Sequence, residues 1–170
     1  MKLLFSPNGR IKQTEFWKAA LILITIGTLA SLSILVSFKL SLFFQAITPV
    51  IIWCWIAVWS KRYHDSGKSG WMALVPVLTF VIIAIFLSIF ITSNFGLGGE
   101  ERALFEAKIQ DASSAGDMNA IIAMTMEYSA LEGKKIAIPS AIIMTIFSIL
   151  FAWVFNNVLI KGEPSKNKYG

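Results

Sequence analysis

Residues Ser69–Gly99 read SGWMALVPVLTFVIIAIFLSIFITSNFGLGG, 31 residues without one charged side chain. About 20 apolar residues in a helix cover the roughly 30 Å hydrocarbon core of a bilayer, so this stretch is long enough to cross once. On either side of it lie three more uncharged stretches: Ala19–Phe38 (20 residues), Leu40–Ser60 (21) and Ile136–Ile160 (25). Together the four hold 97 of the 170 residues. Hydrocarbon is therefore the expected solvent for most of the chain, and in hydrocarbon the backbone must satisfy its own polar groups, which helices do. The sequence predicts an all-α, polytopic membrane protein, one membrane domain over residues 1–170. Its four transmembrane helices are expected at about 17–38, 42–60, 69–95 and 137–160, with a periplasmic helical hairpin at 100–135 between the third and fourth.

Local signals refine these boundaries. Ser6-Pro7-Asn8-Gly9 is turn chemistry, and Asn8 or Thr14 is a candidate cap for the first long helix. Gly27 and Ser31 form a small-xxx-small pair that would let another helix approach. Thr48-Pro49 admits two readings: the start of the second span, with 38–47 lying along the interface, or a proline kink within a longer helix. Ser69 is a candidate N-cap for the third span, and Pro76, about two turns on, suggests a kink. In 100–135, Leu104, Phe105, Ile109 and Ala112 recur at helical spacing, as do Ile121, Ile122, Met124, Met126, Tyr128 and Leu131. Gly116-Asp117 reads as a stop followed by a cap, Gly133 as a second stop, and Pro139 as the start of the fourth span.

Charge sets the expected orientation. The segments at both termini and after the second span carry 10 Lys and Arg, against 5 on the opposite face. Seven of the ten acidic residues lie in 100–135, so the net charges are +7 and −2. The positive-inside rule then places both termini in the cytoplasm. All six tryptophans fall in the same half. Trp17, Trp59 and Trp71 fit an interfacial belt, while Trp53, Trp55 and Trp153 lie deeper and need packing partners. Although the net charge is +5, the basic residues flank apolar spans, where they set topology and meet anionic lipid, so nucleic acid is not an expected partner.

Signatures of catalysis are nearly absent. One histidine, His64, and one cysteine, Cys54, exclude multi-His zinc sites and Cys-x-x-Cys motifs. There is no Gly-x-Ser-x-Gly motif and no phosphate-cradling glycine loop. No Asp, Glu, Lys, Arg or His lies inside the four apolar stretches, which argues against proton coupling. Gln45, Asn94, Asn156 and Asn157 are the polar residues in or near spans and are expected to hydrogen-bond between helices or at the interface. No catalytic residue, metal or cofactor is expected. The first apolar run is too long for a typical signal core and reads as an uncleaved anchor.

The densest polar cluster is Lys61-Arg62-Tyr63-His64-Asp65-Ser66-Gly67-Lys68-Ser69-Gly70-Trp71, read as a headgroup-level hairpin between spans two and three. Gly67 and Gly70 permit unusual backbone angles, and Arg62 and Lys68 suit lipid phosphates.

Three patches resemble the bacterial inner-membrane family called domain of unknown function 805. They are Gly9-Arg10-Ile11-Lys12-Gln13-Thr14-Glu15-Phe16-Trp17, the run Arg62–Trp71, and Gly162 with Asn167-Lys168-Tyr169-Gly170. The chain departs from the family pattern at Gln13, where Arg is frequent, at Tyr63 for Leu, and at Met72 for Trp. The resemblance implies a multi-span inner-membrane protein and no particular activity. All three patches fall on the expected cytoplasmic face, where Arg10, Glu15, Arg62, His64 and Asp65 are expected to form a polar layer against Trp17 and Trp71. With Lys68 and Ser69 this layer is the candidate site for an anionic headgroup or a protein segment. The leading expectation is a non-enzymatic scaffold, lipid-binding or stress-linked accessory protein. The alternative is an oligomeric transporter or channel subunit associating through Gly27/Ser31 or Ala84/Ser88. A lipid-modifying enzyme ranks last. Expected partners are anionic membrane lipids, a second copy of the chain, and a periplasmic protein at 100–135.

Overall fold

A computed structural model describes residues 2–162 and Tyr169; the expectations that fall on Glu163, Lys166, Asn167, Lys168 and Gly170 lie outside the described residues. Among the described residues all regular structure is helical. The helices are α1 (Lys2–Phe5), α2 (Gln13–Val36), α3 (Phe38–Ala46), α4 (Thr48–Asp65), α5 (Leu74–Phe95), α6 (Gly99–Ser114) and α7 (Met118–Trp153). A 3₁₀ turn, Gly70–Ala73, leads into α5, and a π-helical stretch, Val154–Leu159, ends α7. Three helical units are long and apolar enough to cross a membrane: Gln13–Val36, Gly70–Phe95 and Met118–Leu159. The pair α3–α4 qualifies as a fourth when taken as one broken span, bent by 43°.

The distribution of burial supports a membrane solvent. Large apolar side chains such as Val36 (78% exposed), Phe86 (68%) and Leu29 (56%) cover the outside of the long helices. Water would penalise so extensive an apolar surface, whereas lipid tails do not. The tight core lies at the end of the bundle that carries Lys2 and Gly162. There Phe16, Ala19, Ala20 and Leu23 of α2 meet Val58 and Trp59 of α4 and Phe151 and Ala152 of α7. The alanines let the backbones close up, which matters in lipid because dispersion contacts, not water exclusion, drive helix association. Trp59 is 2% exposed and packs on Phe16 (4.5 Å between ring centroids), so it belongs to the core and not to the interfacial belt.

Several expected boundaries are corrected. Lys12, not Asn8 or Thr14, occupies the N-cap of α2, and its N–H donates to Glu15 Oε2 (3.2 Å). Thr48 is the first residue of α4 with Ile47 as N-cap; its hydroxyl donates back to the Phe44 carbonyl (3.2 Å). Ser69 precedes the 3₁₀ turn without capping it through its side chain. Because α5 begins at Leu74, Pro76 sits in its first turn, where no amide donor is needed. Gly67 alone of the loop's two glycines has a positive φ (+70°).

The largest correction concerns α7. Neither Gly133 nor Pro139 interrupts it, and the second arm of the hairpin runs unbroken into the fourth apolar stretch. Its 36 residues give a rod of about 54 Å, well beyond the hydrocarbon thickness. Gly133 serves packing, since a Cβ there would stand 3.3 Å from Ile34 Cγ1 of α2. The turn between α6 and α7 is as expected: Gly116 has φ +71°, and Asp117 accepts from the Ala120 N–H (3.0 Å). Phe105 stacks on Tyr128 (4.1 Å), while Arg102–Glu132 (3.4 Å) and Lys135–Glu101 (2.8 Å) bridge the arms. The Lys135 hydrogen bond, with one from the Gly98 N–H, holds the Glu101 carboxyl below its ordinary pKa. Leu104, Ile122, Met126 and Leu131 of the apolar pattern are exposed.

Candidate functional site

The central motif is built first by a helix end. Its residues Arg62–Asp65 form the last turn of α4 and not a loop. The Lys68 N–H bonds the Tyr63 carbonyl (3.0 Å) and the Gly67 N–H bonds the His64 carbonyl (3.1 Å). These two bonds with a left-handed Gly67 are the Schellman arrangement, which satisfies carbonyls that a helix end leaves open. Helical geometry then places Arg62 and Asp65 on one face, and Arg62 Nη1 donates to Asp65 Oδ2 at 2.5 Å.

Arg62 is 3% exposed, and its guanidinium has further partners from the far end of the chain. Nε donates to Asn156 Oδ1 (2.6 Å), while Nη2 donates to the carbonyls of Ile160 (3.0 Å) and Asn156 (3.3 Å). Asn156 is wholly buried and lies in the π-helical stretch. There the wider turn departs from the i→i−4 pattern and re-aims side chains. A neighbouring bond joins Gln13 Nε2 to Asn157 Oδ1 (2.6 Å), tying the start of α2 to the same stretch. Gln13, one of the three departures noted from the sequence, thus supplies a donor.

The N-terminal patch closes the other side. The Ile11 N–H donates to the Lys61 carbonyl (3.4 Å), and His64 Nδ1 lies 2.9 Å from the Gly9 carbonyl. Arg10 Nε stands 3.9 Å from Asp65 Oδ1, so Asp65 is shared between two guanidinium groups. The Lys61 ammonium donates to the Leu3 carbonyl, and Trp53 Nε1 donates to that of Phe5 (3.0 Å), fastening α1 along α4. Tyr169 stacks on His64 (centroids 3.9 Å apart, planes 14°).

Two glycines act by absence of volume. A Cβ at Gly70 would collide with Ser60 Oγ, which itself donates to the Gly70 carbonyl (3.1 Å), and would lie 2.7 Å from His64 Nε2. A Cβ at Gly162 would collide with Asp65 Oδ2 and lie 3.1 Å from Arg62 Nη1.

Of the eight candidate residues, the structure gathers Arg10, Arg62, His64 and Asp65. Glu15 stands apart: it is exposed and caps α2, so it does not offset an arginine. Lys68, Ser69 and Trp71 are also exposed, and Trp71, 80% exposed, gives the polar layer no wall. The sequence flagged Asn156 and Asn157 only as hydrogen-bonding residues. It gave no sign that Asn156, the Ile160 carbonyl and Gly162 complete the arginine's surroundings, because a π-helical turn has no sequence period to read. Chemically the cluster is closed on itself. The Arg62 fork faces protein oxygens and not a ligand, and His64 is packed between Gly9, Gly70 and Tyr169. No group of three His, Cys, Asp or Glu suited to a metal ion occurs among the described residues.

Comparison with known proteins agrees with this picture in one respect. No curated protein and no solved structure matches the chain. A family model described as "Protein of unknown function (DUF805)" matches residues 4–170, a range that takes in all three patches. The chain, from its fourth residue to its last, belongs to the DUF805 family.

Proposed function

We propose that this protein is a non-enzymatic scaffold of the bacterial inner membrane, with four spans and both termini in the cytoplasm, and that its Arg-x-His-Asp cluster is a structural clasp and not a headgroup site. The observation that carries the reading is the engagement of Arg62: four hydrogen bonds to Asp65, Asn156 and Ile160 at 3% exposure. A guanidinium so enclosed has no fork to offer a phosphate. The clasp joins the N-terminal lead-in, the end of α4 and the end of α7, so it fixes the relative positions of three helices. Around it, Lys12, Lys18, Lys68 and Lys161 are exposed. They form the basic rim that would meet anionic lipid at the headgroup level.

The rim and the clasp respond differently to mutation. Lys12→Gln/Lys18→Gln/Lys68→Gln should reduce phosphatidylglycerol retained by the purified protein severalfold in native mass spectrometry, without lowering its thermal stability. Unchanged retention would reject lipid contact at the rim. Loss of retained lipid in Arg62→Ala at full stability would restore the clasp as a binding site. Orientation has its own test. Ala115→Cys, exposed beside the α6–α7 turn, should react with an impermeant thiol reagent in spheroplasts. Cys54 is buried and gives little background. Labelling only after lysis would reverse the proposed topology.

A further inference from the structure

Away from the clasp, α5 stands off from the bundle: of its 22 residues only Pro76 and Ile91 are buried. Two adjoining spaces with shared walls result. The first is a chamber of about 340 Å³ among α2, α4, α5 and α7, whose lining includes Thr28, Ser31, Ser88, Thr92, Ser140 and Ser148. The second is an apolar crevice of about 470 Å³ among α4, α5 and α7, walled by Ile52, Val81, Ile85 and Phe151. Trp55, Phe80 and Ser88 line both.

The hydroxyls are unusual for helices in lipid. Such residues ordinarily donate to a carbonyl of the preceding turn, as Ser148 does to Met144 (2.6 Å) and Thr28 to Ile24 (3.0 Å). Ser31, Thr92 and Ser140 make no side-chain hydrogen bond among the described residues, yet all three line the chamber. Gly27 also lines it, and a Cβ there would meet no atom within 4 Å. The Gly27/Ser31 pair therefore makes no close helix crossing within this chain, and both residues line the chamber.

The chamber walls carry no ionised side chain. Arg102 lines a neighbouring hollow with Ser88 and Thr92 and is paired to Glu132 (3.4 Å). A phosphate placed among the chamber hydroxyls would be desolvated without a counter-charge, which is costly at this depth. An uncharged head with hydroxyl or carbonyl oxygens meets matching partners there, and a hydrocarbon tail fits the crevice that opens toward lipid.

We propose that the chamber and crevice together bind a neutral, membrane-dissolved amphipath whose head carries one or two hydroxyl or carbonyl oxygens. Diacylglycerols, isoprenoid alcohols and isoprenoid quinones share that chemistry. The proposal needs the bundle to sit in a bilayer and is independent of the clasp.

The test uses the full chain in phosphatidylcholine nanodiscs. Decylbenzoquinone is titrated by tryptophan quenching, with Trp55→Phe locating the signal, and dioctanoylglycerol and farnesol are added as competitors. The expected result is saturable quinone binding that at least one competitor displaces, the competitor identifying the source of the head. Gly27→Leu should weaken binding at least tenfold while retaining or raising thermal stability, because a side chain fills open space and replaces a helical glycine. Ser140→Ala/Thr92→Val should weaken it about tenfold through lost hydrogen bonds and leave the partition of a headless alkane unchanged. Non-saturable partition, wild-type affinity in Gly27→Leu, or equal competition by phosphatidylglycerol would overturn the proposal. So would a dimer mass accompanied by no ligand binding, which would make a second copy the occupant beside α5.

Discussion

Arg62→Ala is expected to destabilise the folded protein by about 3–5 kcal/mol, the cost of removing one partner of a buried, hydrogen-bonded ion pair. Most of that cost is not the lost attraction. It is the buried Asp65 carboxylate, 6% exposed in the intact protein, left without its close partner, together with Asn156 Oδ1 and the Ile160 carbonyl left without their donor. Arg10, at 3.9 Å and partly exposed, recovers only part of the charge balance. Arg62→Lys restores the charge but not the fork, since an ammonium cannot reach Asp65, Asn156 and Ile160 together in the guanidinium plane. It should fall between the wild type and alanine. Unfolding by graded denaturing detergent from mixed micelles measures all three.

Asn156→Leu is the second large effect, at about 1.5–3 kcal/mol. Leucine keeps the branching of asparagine but is bulkier, so the loss combines overpacking of a fully buried position with the missing acceptor for Arg62 Nε at 2.6 Å and the missing link to Asn157 at 3.1 Å. Asn156→Asp keeps an acceptor facing the arginine and is expected to cost less. The part of the Leu penalty that belongs to the hydrogen bond is the part that disappears in an Arg62→Ala background; a penalty unchanged by removal of Arg62 would mark simple shape filling.

The solvent class was legible because it is written in the length of uncharged runs, which no tertiary contact can disguise. Helix ends with local chemistry were legible too. Gly116-Asp117 punctuates the chain as read, and Gly67, read with Gly70 as a site of unusual backbone angles, takes the left-handed conformation. The failures share a physical cause: the same residue types serve packing as well as punctuation. Gly133 and Pro139 look like a stop and a start, but Gly133 is small to admit Ile34, and a long helix held by neighbours tolerates Pro139. Gly70 was read as a backbone device, yet its requirement is steric, set by Ser60 and His64. Glu15, expected in the polar layer, instead turns its carboxylate to an open N–H three residues back at its own helix start. Gathering Arg10, His64 and Asp65 around Arg62 followed from placing the three patches at one end of the bundle. The contribution of Asn156 and Gly162 did not, because it depends on how a π-helical turn rotates the end of α7.

A double-mutant cycle on Arg62 and Asn156 tests the clasp most directly. Arg62→Ala, Asn156→Leu and the pair are unfolded in the same lipid–detergent mixture, and phosphatidylglycerol retention is recorded for each. The clasp predicts a coupling of about 1.5 kcal/mol or more between residues 94 positions apart, with lipid retention unchanged in whatever fraction stays folded. Independent effects adding within about 0.5 kcal/mol, with stability near wild type and lipid lost, would contradict it.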